Sequence, residues 1–194
     1  GLLYVGEQVG DRENDPVYHL RAIDIESGDT EWMFETNGRP HGTPTVANGT
    51  VYIGTVVEIE PEASEFQGTL HAIDTASGDE QWRFENEETN IASSPTVAGG
   101  TVYFGSDGVY AADTETGTVQ WQFGEPAIAR SSPTVVDGVV FVGLDDQSVY
   151  AIDAGIDGSS EDSRVLQGVL GHHHGWASEE PQTLEPVVSY TPGG

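Results

Sequence analysis

Along residues 1 to about 153, short runs of β-branched and aromatic residues alternate with clusters of turn residues, and four runs return in fixed order. One is Leu3-Tyr4-Val5-Gly6, Val51-Tyr52-Ile53-Gly54, Val102-Tyr103-Phe104-Gly105 and Val140-Phe141-Val142-Gly143. The next is Leu20-Arg21-Ala22-Ile23-Asp24, with counterparts at Leu70–Asp74, Val109–Asp113 and Val149–Asp153. Then come Trp32-Met33-Phe34, Trp82-Arg83-Phe84 and Trp121-Gln122-Phe123, and finally Pro-Thr-Val at Pro44, Pro95 and Pro133. Each run has the length and composition of a strand. Asn48-Gly49, Gly99-Gly100 and Asp137-Gly138 supply the positive φ angles of two-residue hairpins. Every repeat therefore predicts a four-stranded antiparallel meander: A (Pro-Thr-Val), B (Val-Tyr-x-Gly), C (x-Tyr-Ala-x-Asp) and D (Trp-x-Phe). The tryptophans lie 50 and 39 residues apart, the longer interval carrying an insertion at Thr55 to Gly68. A period of about 40 with four strands per unit is that of a β-propeller blade.

The spacing Ala-x-Asp-x3-Gly-x3-Trp occurs three times: Ala22, Asp24, Gly28, Trp32; Ala72, Asp74, Gly78, Trp82; Ala111, Asp113, Gly117, Trp121. It resembles the tryptophan-docking motif of pyrroloquinoline-quinone (PQQ)-type propeller repeats, a family holding quinoprotein alcohol dehydrogenases and non-enzymatic relatives such as the barrel-assembly lipoprotein of bacterial outer membranes. The resemblance implies an all-β propeller in which the indole packs across a blade–blade junction. A large aromatic with one polar N–H suits such an interface. The expected organisation is PQQ-like blades over 1–153 and an irregular Gly-, His- and Pro-rich acidic tail over 154–194. The chain enters at strand B, runs through two full blades and reaches strand C of a last one. Three to four blades of a longer propeller are expected, and Val187-Val188-Ser189-Tyr190 offers one further strand for the last blade.

The chain carries 33 acidic residues against 6 basic ones, all arginine, for a net charge of −27. That balance excludes a phosphate-tracking surface and an anionic membrane surface. Many carboxylates with no lysine also resemble proteins of extreme halophiles, where molar salt screens surface repulsion. Cysteine is absent, which removes disulfides, thiolate ligands and cysteine nucleophiles.

Candidate chemistry is sparse. B–C connections vary in length (Glu7 to Val17, Thr55 to Gly68, Ser106 to Gly108, Leu144 to Ser148), and variable loops on a rigid scaffold are where binding resides. That face also holds Arg12, Arg39, His41 and Arg130, with Arg39, His41 and Arg130 just before strand A and near the channel axis. An arginine fork there suits a carboxylate-bearing ligand; offsetting nearby Asp and Glu is the competing role. His172, His173 and His174 are weak metal candidates, because consecutive strand residues point to opposite faces. His71 stands where Tyr110 and Tyr150 stand in other repeats and reads as an aromatic packing substitute. The Glu58, Glu60, Glu62, Glu65 series and Asp145-Asp146 lack the spacing of a formed calcium loop. In the quinoprotein enzymes a cysteine pair, a calcium site and an Asp base surround the quinone, and no residue here matches them. The expectation is a non-enzymatic binding or protein-interaction propeller in an exported halophilic protein, with no cofactor. PQQ with calcium enters only if the chain is a fragment of a quinoprotein dehydrogenase with its active site elsewhere.

Overall fold

The computed structural model describes residues 1–10, 16–60, 65–124 and 127–154 together with strand segments at 169–172, 183–184 and 188–189. Every regular element among them is a strand, every strand pair is antiparallel, and two compact units divide the chain, Gly1–Pro95 and Thr96–Gly194.

In the first unit β1 (Leu2–Val9), β2 (Val17–Asp24) and β3 (Thr30–Thr36) form a three-stranded sheet in that order. A four-stranded blade follows in the order β4 (Arg39–Ala47), β5 (Thr50–Glu60), β6 (Glu65–Asp74) and β7 (Glu80–Asn86). The second unit repeats the blade with β8 (Thr96–Ala98), β9 (Thr101–Ser106), β10 (Gly108–Asp113) and β11 (Val119–Phe123). Its last sheet is β12 (Thr134–Val136), β13 (Val139–Gly143), β14 (Ser148–Asp153) and β15 (Val169–His172). A separate hairpin pairs β16 (Thr183–Leu184) with β17 (Val188–Ser189). The A–B hairpins turn as their residues require: Asn48, Gly49, Gly99, Gly100, Asp137 and Gly138 all have positive φ.

Each recurring residue has a local reason. Ala22, Ala72 and Ala111 stand opposite Trp32, Trp82 and Trp121 in the C–D ladder, where a small side chain leaves room for the indole. The Val-Tyr-x-Gly tyrosine then tilts against that indole, with ring centroids 5.7 Å apart for Tyr4–Trp32 and 5.8 Å for Tyr52–Trp82 and Tyr103–Trp121. Its glycine is needed because a Cβ at Gly54 would meet the Ile91 carbonyl at 2.7 Å. Asp24, Asp74 and Asp113 close the C–D turns by accepting two backbone N–H groups each, from residues two and three further on. Those bonds favour the ionised form and hold all three carboxyls below the usual Asp range.

The indole of Trp32 leaves its own sheet and lies on the blade that follows. A Cβ at Gly78 would come within 2.8 Å of its ring, and Nε1 donates to the Thr75 carbonyl at 3.0 Å. Leu20, Val51, Ile53 and Ile73 are buried beside it with Tyr4 and Phe34. In the second unit Tyr103, Val140, Val142, Leu144 and Ile152 form the core. There the carbonyl corresponding to that of Thr75 belongs to Ala154, and it accepts from Tyr103 Oη at 3.1 Å. Trp121 Nε1 is buried with no hydrogen-bond partner among the described residues, and Asp157 stands where the other repeats have the docking glycine.

Several expectations need correction. Arg39 and His41 do not precede strand A: they lie within β4, paired with Val56 and Gly54, because β5 is long enough to hold them. The second B–C connection is strand over Thr55–Glu60 and Glu65–Gly68, so most of that insertion lengthens β5 and β6; in the first, Glu7–Val9 and Val17 belong to β1 and β2. The last sheet does have a strand in place D, since β15 pairs with β14 through Tyr150↔Val169 and Ser148↔His172. Val188 and Ser189 pair with β16, not with that sheet. Position 172 is thus the end of a strand, while His173 and His174 lie outside the described residues, as does Arg12.

Candidate functional site

In the first unit the B–C hairpins of both sheets run on as two-stranded ribbons. Between them opens a cleft of about 710 Å³ lined by Pro16, Tyr18, Asn37, Gly38, Arg39, Val56, Val57, Glu58 and Phe66. The register sets this lining. Arg39 stands opposite Val56, and Glu58 opposite Phe66, which places these four on one face of the blade; Val57 alternates to the other face, the one that meets the first sheet, so the cleft takes its lining from both faces at the sheet edge. Tyr18, paired with Thr36 in the neighbouring sheet, supplies an aromatic from the other side.

The charges in this cleft are not neutralised by one another. Arg21 makes a forked bond to Glu7, and Arg83 pairs with Glu80 and Glu85. The Arg39 side chain makes no ion pair or hydrogen bond among the described residues, and the same holds for that of Arg130 in the second unit. In a chain with 33 carboxylates, a free guanidinium at a cleft is a donor fork left open. His41 differs: its Nδ1–H donates to the Ala92 carbonyl at 2.9 Å, which ties the ring to the backbone. Of the three expected ligand-binding residues, therefore, Arg39 lines the cleft, His41 is held by the scaffold, and Arg130 is exposed in the other unit.

Beneath the cleft lies a polar network that sequence reasoning missed. Asn37 Nδ2 donates to Thr69 Oγ1 at 2.7 Å, and its Oδ1 accepts from Thr55 Oγ1 at 3.0 Å. His71 Nε2 lies 3.1 Å from the same Oδ1, and Nδ1 lies 2.7 Å from Glu80 Oε1. Thr55, Thr69 and His71 are buried. Burial lowers the His71 pKa below its ordinary value, with the Glu80 carboxylate opposing the shift. His71 also keeps the packing of the tyrosines it replaces: Phe34 meets it edge-on at 5.4 Å and 66°, as Phe123 meets Tyr150 at 5.1 Å and 66°. Tyr18, Asn37 and Phe66 carry no motif: ribbon register brings Tyr18 and Phe66 to the cleft, and the turn between β3 and β4 brings Asn37.

Residues 66–161 match the model of a protein family described as outer membrane protein assembly factor BamB. No curated protein sequence matches the chain. Among solved structures it is similar to BamB from Moraxella catarrhalis, at 19% identity and TM-score 0.60 over 85% of this chain and 52% of that one. It also resembles the quinohemoprotein alcohol dehydrogenase of Comamonas testosteroni, at 19% identity and TM-score 0.58 over 79% of this chain and 32% of that one. The computationally designed Ika4 protein matches at 17% identity and TM-score 0.56, over 74% of this chain and 87% of that one. The chain spans about half the length of the BamB structure. At such identities these structures establish the fold alone, and it is that of β-propeller blades. Over residues 66–161 the repeats are those of the PQQ-type propeller family.

That family includes quinone- and calcium-dependent enzymes, so the donor set matters. The chain has no cysteine, and among the described residues no three His, Cys, Asp or Glu side chains converge as metal ligands. The residues described do not fit a PQQ–calcium site. Nor, among them, is any helix long and apolar enough to cross a membrane.

Proposed function

We propose that the chain is part of a non-enzymatic binding propeller whose protein partner docks at the cleft between the two ribbons. The unpaired Arg39 carries this reading. A guanidinium on a rigid β framework, flanked by Tyr18 and Phe66, is the combination of charge and aromatic surface that binding hot spots favour. Placement on extended B–C ribbons supports it further, since these vary between repeats while the A–B turns do not. The name of the matching family, an assembly factor, agrees with a partner-binding role. An exported location fits the same reading.

The test is a photo-crosslinking amino acid placed at Phe66 of the full protein in its own cells, with a matched label at exposed Met33 on β3. A discrete protein adduct from position 66 and none from position 33 is expected. No adduct from position 66 would overturn the reading. So would dye reduction by the full protein given PQQ, calcium and an alcohol, which marks the quinoprotein alternative.

A further inference from the structure

The cleft contains an unfinished piece of sheet. β4 begins at Arg39, opposite Val56, whereas β5 continues to Glu60. Beyond Val56, β5 pairs with β6 on one side, through Val57↔Gln67 and Glu58↔Phe66 and, past a register shift at Ile59, through Glu60↔Glu65. On its other side no described strand lies opposite Val57 to Glu60. The chain turns away there at Gly38, where a Cβ would meet the Val56 carbonyl at 2.7 Å and the Val57 side chain at 2.6 Å. Backbone N–H and C=O groups along such an edge are a template for an added strand.

Direction decides what that strand carries. An added strand that is antiparallel to β5, like every described pair, runs in the same direction as β4 and therefore ends at Arg39. We infer that the cleft captures the free carboxyl terminus of an extended partner peptide, which adds to the edge of β5 and delivers its terminal carboxylate to the open Arg39 fork. The inference rests on the binding role proposed above. Tyr18, Val57 and Phe66 offer apolar surface to the peptide's last side chains. Exposed Glu58 and Glu65 favour basic residues upstream. The chemistry selected is a C-terminal segment of alternating apolar and basic residues closing on an apolar one, for which phenylalanine serves as the probe.

The probe is a fluorescein-labelled hexapeptide of alternating lysine and valine ending in phenylalanine, prepared with a free terminal carboxylate and, separately, with a terminal amide. Fluorescence anisotropy is expected to show the free acid binding about tenfold more tightly than the amide, the size of one charge-assisted contact. Arg39→Ala should abolish the difference, because the exposed, unpaired guanidinium can be removed without loss of fold. Arg130→Ala, in the other unit, should preserve it. Hydrogen exchange at Val57 to Glu60 should slow on binding of the free acid. Equal affinities for acid and amide, no binding of either, or binding that leaves exchange at Val57 to Glu60 unchanged would each overturn the inference. If a partner still crosslinks at position 66 while the peptide fails, the terminal-carboxylate mode falls and the binding cleft stands.

Discussion

The threonine of Pro-Thr-Val gives the residue-scale account of why that tripeptide recurs. Thr45 Oγ1 donates to the Pro95 carbonyl at 2.5 Å, and Thr96 Oγ1 to the Pro133 carbonyl at 2.6 Å. Each threonine thus reaches the proline of the following Pro-Thr-Val segment, and a carbonyl in a segment with little ladder of its own is satisfied. β8 and β12 are only three residues long, so these side-chain bonds matter more than they would in a full strand. Thr45→Val and Thr96→Val keep the β-branched shape and remove only the hydroxyl. Each should lower unfolding stability by about 1 kcal/mol, read by urea denaturation, with no change in the far-UV circular dichroism of the folded state. A neutral result at both positions would show that the bond contributes nothing.

Among the elements, β6 joins the scaffold to the cleft through His71. Both ring contacts are hydrogen bonds at once only if each nitrogen carries a proton, since Glu80 Oε1 and Asn37 Oδ1 are both acceptors. A neutral ring keeps Nδ1–H toward Glu80 and needs a half-turn of the Asn37 amide to receive a proton at Nε2. That turn also reverses the donor and acceptor roles toward Thr55 and Thr69, which hydroxyls permit. Burial lowers the folded-state pKa below 6.5, so the unfolded chain takes up the proton first. Stability is then complete above the ordinary value and falls as pH drops toward the folded one, at a slope of at most about 1.4 kcal/mol per pH unit. Glu80, Arg83 and Glu85 are the charged groups that face the ring. NMR titration should place His71 below ordinary histidine, with the Asn37 side-chain amide resonances following it. In His71→Tyr, unfolding between about pH 7 and pH 5 should lose this dependence. A His71 titrating above the ordinary value would refute the account. The same strand shows what was legible beforehand. Its apolar alternation, its Ala-x-Asp ending and the aromatic role of position 71 follow from the repeat. The Asn37 contact does not, because it joins residues 34 positions apart through a D–A turn whose path no periodicity encodes. The extension of β5 and β6 was hidden likewise: the Glu-rich insertion reads as loop, and cross-strand pairing makes it sheet.

At the scale of the whole chain, the net charge of −27 rests on a framework whose buried side chains, among the described residues, are mostly apolar. We propose that this surface is adapted to high salt. The Debye length is about 10 Å at 0.1 M salt and 3 Å at 1 M, so exposed carboxylates repel one another far less in the latter. Circular dichroism should show cooperative β structure in molar KCl and a lowered melting temperature on dialysis to low salt. An unchanged melting temperature would remove the halophilic reading. Because β5 and β6 lengthen together as a paired hairpin, growth there obeys a parity rule. Two residues added to each strand keep Glu58 and Phe66 on the face they share with Val56, whereas one residue added to each beneath them turns the whole tip over. The ribbon is therefore a graduated arm: evolution or design can reset its reach in steps of about 7 Å while the blade below stays as it is.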